Sequence, residues 1–141
     1  MSEPLVAIRG LSLEAATDRG DAHILRHVDL DIGRGRILGI VGESGSGKSS
    51  LASCLIGLLA ANVTRATGRI LFDGVDLLSL DEKRMRTLRG DRIAMIFQDP
   101  MTALTPVYTI GWQIAEQIAA HRRVSKREAW DRAVSLLAEV N

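Results

Sequence analysis

Gly42, Gly47, Lys48 and Ser49 lie at the spacing G-x-x-x-x-G-K-[ST] within "GIVGESGSGKSS", Gly39 to Ser50. That pattern is chemistry for holding phosphate. Glycines let the backbone turn where a Cβ would forbid it and come close to oxygen atoms, so that successive N–H groups converge on an anion at a helix N-terminus. The expected cradle is Gly42, Glu43, Ser44, Gly45, Ser46, Gly47, Lys48, Ser49 and Ser50. Lys48 brings a mobile positive charge to the β- and γ-phosphates of a nucleoside triphosphate, and the Ser49 hydroxyl is placed to bind the accompanying Mg²⁺. Such a loop binds and does not by itself react. Glu43 reads as a loop position rather than a base, and His23, His27 and His121 stand alone in the sequence.

The loop needs a strand before it and a helix after it. "RILGIV" (Arg36 to Val41) is an unbroken apolar run, the pattern of a parallel strand covered on both faces. Leu51, Cys54, Leu55, Leu58 and Leu59 recur at intervals of three and four, which predicts a helix starting near Lys48 with one apolar face. Upstream, "VDLDI" (Val28 to Ile32) alternates as a strand with one wet face, and "GRG" (Gly33 to Gly35) supplies a turn, so an antiparallel β piece is expected near the start. "RILF" before Asp73 and Gly74 reads as a strand and turn, and "RIAMIF" (Arg92 to Phe97) as a second buried strand. Ile110, Ile114 and Ile118 share a helix face, and Ser125 with Glu128 forms a capping box ahead of Trp130, Ala133, Val134, Leu137 and Val140. Trp112 and Trp130, one in each of these amphipathic helices, are expected to pack in the core rather than to anchor an interface. The class is α/β.

Composition limits what this assembly can do. In 141 residues, 46% hydrophobic and 25% charged, eighteen basic and seventeen acidic side chains leave a net charge of +1. There is no global field to gather nucleic acid or anionic lipid. The basic run "HRRVSKR" (His121 to Arg127) lacks interleaved aromatics and reads as a solvated connection, so no nucleic-acid partner is expected. A single cysteine, Cys54, and the absence of an apolar leader point to the cytoplasm, and Leu51 to Ala61 has the length of a buried helix rather than a membrane span.

Two segments in order, "LGIVGESGSGKSS" and "IAMIFQDPMTALTPVYTIGWQIAEQI", resemble the ATPase subunits of ABC transporters, in particular the oligopeptide, dipeptide and nickel importer group. The resemblance covers the whole chain, and it makes residues 1–141 the N-terminal part of an ABC-type ATP-binding domain, an incomplete P-loop NTPase core with an N-terminal antiparallel β piece. It implies that the first segment is the Walker A loop, that the nucleotide is ATP, and that Gln98 is the Q-loop glutamine, touching Mg²⁺ and linking the γ-phosphate to the segment that meets the membrane subunit, here Asp99 to Thr109. In that segment Pro100 and Pro106 are expected to prevent regular helix, and Met101, Leu104 and Val107 to offer apolar contacts, to that subunit or to the chain's own core. A neutral amide at a strand end suits that role, since it can offer oxygen to the metal and move without carrying charge.

The same resemblance implies work at the cytoplasmic face of the membrane as a peripheral subunit. The partners would be transmembrane permease subunits, a second ATPase subunit and, indirectly, an extracytoplasmic solute-binding protein. The signature motif, Walker B aspartate, catalytic glutamate and switch histidine of the family do not occur before Asn141. No catalytic residue is therefore expected within this chain, and these residues alone are expected not to turn over ATP. Relatives place an aromatic near the N-terminus to stack on adenine; here Ala15 or a neighbour takes that place, and the first aromatic is Phe72. Three readings of function stand open: the energy-coupling ATPase of an importer for peptides or a related small solute, another phosphate-loop protein such as a kinase or GTP-binding switch, and a truncated product without activity of its own.

Overall fold

A computed structural model describes residues 3–97, 99 and 103–140. The chain divides into two units, Met1–Met85 and Arg86–Asn141. The first is built on a four-stranded antiparallel sheet of order β2-β1-β3-β4, with β1 at Val6–Thr17, β2 at Gly20–Ile32, β3 at Val63–Phe72 and β4 at Val75–Asp76. Ile8, Leu11, Leu13, Ala15, Leu25 and Ile70 are buried, while Asp29 and Asp31 on the expected wet face of "VDLDI" are exposed. Between β3 and β4, Asp73 and Gly74 both have positive φ, the requirement of a type I′ hairpin turn, and Phe72 pairs with Val75 across it. The first unit is completed by α1 at Lys48–Leu55, a single 3₁₀ turn at Leu77–Ser79, and the start of α2, Glu82–Leu88.

The helix after the loop is shorter than its apolar periodicity predicts. Gly57, at φ 63°, closes α1: its N–H donates to the Cys54 carbonyl at 3.1 Å and that of Leu58 to the Ser53 carbonyl at 3.0 Å. That is a Schellman end, and it puts Leu58 and Leu59 beyond the helix, both exposed. Leu51 and Cys54 are buried, and burial pushes the Cys54 thiol above its ordinary pKa.

Two expected strands do not form. Arg36–Val41 and Arg92–Phe97 carry no ladder, apart from one isolated bridge of Ile93 to Arg89, and Ile37, Val41 and Ile96 are 102%, 95% and 99% exposed. A parallel strand is stable only with hydrogen-bonded neighbours and cover on both faces. Among the described residues no strand lies alongside either run, and the four that exist pair with one another.

In the second unit α3, Ile110–His121, packs on α4, Lys126–Glu139. Small residues make this close: Ala129 and Ala133 are buried, and a Cβ on Gly111 would come within 3.0 Å of the Trp130 ring. Trp112 and Trp130 are both half exposed rather than buried in a core, and the basic residues 122–127 are exposed. The capping box forms in full, with the Glu128 carboxylate accepting from the Ser125 N–H at 2.7 Å and the Ser125 hydroxyl from the Glu128 N–H at 3.2 Å. These bonds, the backbone one first, hold the Glu128 pKa below the ordinary carboxylate range. A depressed folded-state pKa means that the cap stabilises α4 above the ordinary range and is lost as pH falls through the lowered value. Ser125→Ala is expected to cost about 1 kcal/mol of α4 stability at neutral pH, read from amide exchange in α4, and the penalty should shrink as Glu128 protonates.

Candidate phosphate-binding site

The loop from Gly42 to Lys48 closes around its own lysine. The Lys48 ammonium donates to the carbonyl of Gly42 at 2.8 Å, to that of Glu43 at 2.6 Å and to the Ser46 hydroxyl at 3.2 Å. Glu43 thus contributes a carbonyl to the loop, while its side chain is exposed. The Ser46 N–H closes a turn onto the same Glu43 carbonyl at 3.3 Å, and Gly47 accepts the first helical bond of α1 from Leu51 at 2.8 Å.

Gly47 is the N-cap of α1, in a left-handed conformation at φ 89°, and has no side chain with which to cap. The N–H groups of Lys48, Ser49 and Ser50 therefore have no acceptor further back in the helix, the condition that makes a helix start an anion site. A Cβ on Gly47 would lie 2.9 Å from the Ile24 carbonyl oxygen and 2.8 Å from Leu25 Cδ2, so β2 backs the loop directly. Gly47→Ala is expected to destabilise the protein by about 2 kcal/mol or more, from the positive φ and the backbone clash together. A lowered denaturation midpoint at unchanged denaturant slope is the signature to look for.

The site therefore offers backbone N–H groups, one ammonium and hydroxyl oxygens. Ser44, Gly45 and Ser46 are exposed around it, and Ser49 is exposed at the second position of α1. This donor set fits a polyphosphate, and an exposed serine hydroxyl beside it fits a hard cation such as Mg²⁺. Gln98, expected to share that cation, lies outside the described residues. Ala15, at 3% exposure, sits on the buried face of β1, and its neighbour on the open face is Ala16. Of the histidines, His23 Nδ1 faces Glu14 at 3.4 Å and His27 Nδ1 faces the Ser12 hydroxyl at 3.2 Å. Among the described residues no group of three or more His, Cys, Asp and Glu could hold a metal.

A second feature lies in the other unit: the sequence marks the stretch from Asp99 to Thr109, but not the side chain that holds its described part. The segment before α3 is held by Gln113, whose amide makes three bonds to the backbone of Thr105 and Tyr108. Beside it is a groove of about 500 Å³ lined by Leu104, Tyr108, Trp112 and Gln117 among others. Pro106 keeps residues 103–109 out of regular helix, as expected, and Leu104 and Val107 are exposed. Pro100 and Met101 of the same stretch are outside the described residues.

The family model described as ABC transporter matches residues 25–141. A probable D,D-dipeptide transport ATP-binding protein of Escherichia coli is 45% identical over 141 residues, covering 99% of this chain and 43% of its own length. An oligopeptide transport ATP-binding protein of Salmonella typhimurium is 43% identical over 136 residues, covering 96% of this chain and 40% of its own. The chain thus spans less than half the length of these relatives. Among solved structures, the ATP-binding cassette MJ0796, in a dimeric post-hydrolysis state bound to ADP and Pi, is similar with a TM-score of 0.80 and 25% identity, over 94% of this chain and 56% of that one. The cassette cbiO1 of Clostridium perfringens is similar with a TM-score of 0.62 and 25% identity, over 93% and 48%. The α/β class with an antiparallel N-terminal sheet is that of these cassettes, of which the chain covers about half.

Proposed function

Because the chain belongs to the ABC transporter family, we propose that it serves as the ATP-binding, energy-coupling part of an importer for peptides or a related small solute. The observation that carries this reading is the loop from Gly42 to Lys48, folded around the Lys48 ammonium at the uncapped start of α1. The names of the relatives, dipeptide and oligopeptide transport ATP-binding proteins, support the choice of solute class.

On this reading Gly42 to Ser50 wrap the phosphates of ATP, Lys48 neutralises the β- and γ-oxygens, and the N–H groups of the first turn of α1 complete the cradle. Ser49 with Gln98 would hold Mg²⁺, which when bound draws charge from the phosphates. Phosphoryl transfer to water needs a group to position the nucleophile and further charge stabilisation. On this reading hydrolysis is a property of the full-length protein paired with a second ATPase subunit. Among the described residues no helix is long and apolar enough to cross a membrane. On the same reading, attachment to the cytoplasmic face comes through transmembrane permease subunits, with an extracytoplasmic solute-binding protein delivering the solute.

The test is uptake of labelled di- and oligopeptides by vesicles holding the full-length protein with its permease subunits, with ATP and GTP in competition inside. Peptide uptake driven by ATP is the expected result. Preference for GTP, or transfer of phosphate to a small molecule without uptake, would instead identify a phosphate-loop switch or kinase.

A further inference from the structure

Residues 103–109 precede α3 without helix or strand of their own. Their internal backbone bond, from the Tyr108 N–H to the Thr105 carbonyl, is long at 3.4 Å. One side chain makes three bonds to their backbone. The Gln113 Oε1 accepts from the Thr105 N–H at 2.9 Å, and its Nε2 donates to the Thr105 carbonyl at 2.9 Å and to the Tyr108 carbonyl at 2.9 Å. The acceptor and both donors of the amide are used, and only one amide orientation satisfies all three partners. Thr109 fixes the far end of the segment as the N-cap of α3, accepting from the Trp112 N–H at 3.3 Å, and the Tyr108 ring stacks on Trp112 with centroids 4.3 Å apart.

We propose that Gln113 is a positioning residue: it fixes the backbone of residues 103–108 so that Leu104 and Val107 are presented, exposed, in the shape that the membrane partner docks on. This rests on the reading of that segment as the contact with the permease. No other side chain of similar size fits these three bonds. Glutamate offers no donor to the two carbonyls, lysine offers no acceptor to the Thr105 N–H, and asparagine is one methylene too short for a reach set from the first turn of α3. Gln113 is itself only half-buried and sits on a helix, so its replacement by alanine is compatible with folding.

The experiment uses the full-length protein in its transporter, as parent, Gln113→Ala and the isosteric Gln113→Glu. Amide exchange at Thr105, Val107 and Tyr108, ATP affinity and peptide uptake per ATP hydrolysed are measured on the same preparations. Alanine is expected to speed exchange of the Thr105 amide by about tenfold, the loss of one hydrogen bond's protection. Both variants should keep ATP affinity within about twofold of the parent while uptake per ATP falls about tenfold or more, since glutamate preserves volume but turns a carboxylate onto two carbonyls. Unchanged exchange at Thr105 in the alanine variant would overturn the clamp, and full uptake by the glutamate variant would show that packing alone matters. If uptake per ATP survives both changes while Leu104→Asp abolishes it, the positioning role fails and the docking reading stands. If Leu104→Asp also leaves uptake intact, the docking reading fails, and this inference falls with it.

Discussion

Lys48→Ala is expected to weaken MgATP binding by the full-length protein about a hundredfold or more, because charge-assisted hydrogen bonds to phosphate contribute about 1.5–3 kcal/mol each and the ammonium can make more than one. The structure adds a second cost. The same ammonium bridges the carbonyls of Gly42 and Glu43 and the Ser46 hydroxyl, so its removal leaves the loop without the group that gathers its acceptors inward. Lys48→Arg should not rescue, since a planar guanidinium is larger than the point charge around which this loop is closed. Isothermal titration with ATP and Mg²⁺ measures the loss directly, and equal affinity in Lys48→Ala and parent would remove the assignment of the loop.

The conformation of the loop was legible because it is set locally. Glycine at a left-handed N-cap, a lysine directly after it and a serine next are neighbours in sequence and in space, and no tertiary partner is needed to recognise them. The same holds for the capping box of α4, where Ser125 and Glu128 meet within one turn. Legibility fails where the outcome depends on something distant. The apolar runs Arg36–Val41 and Arg92–Phe97 record a preference for burial, but hydrophobicity does not say which strand lies alongside, and neither run is paired into a sheet here. The periodicity of α1 continues to Leu59, yet Gly57 ends the helix, since a backbone that needs φ 63° outweighs two further leucines. β1 was hidden for a related reason. Register shifts between Ile8 and Leu11, and again between Leu11 and Leu13, break the alternation that marks a strand. Gln113 escaped notice because a glutamine among isoleucines on a helix looks like surface, and its partners at Thr105 and Tyr108 have no sequence signature.

Leu104→Asp is expected to leave ATP affinity within about twofold of the parent while lowering peptide uptake about tenfold or more, because a carboxylate in a desolvated contact costs on the order of several kcal/mol unless it is paired. The side chain is 45% exposed, and Val107 beside it 76% exposed, on a loop that Gln113 and Thr109 tie to α3. An apolar pair on a fixed loop, with an aromatic stack of Tyr108 on Trp112 lining the adjacent groove, suits an apolar partner better than water does. The alternative is that Leu104 covers the protein's own core. Its exposure among the described residues weighs against that, and the two readings separate on a single preparation. A docking residue changes uptake with little change in melting temperature, because a charge at an exposed site costs the free subunit little. A core residue lowers melting temperature, ATP affinity and uptake together. Suppression of the Leu104→Asp defect by a compensating lysine in the permease would assign the contact to that partner, since an introduced ion pair restores function only where the two side chains meet.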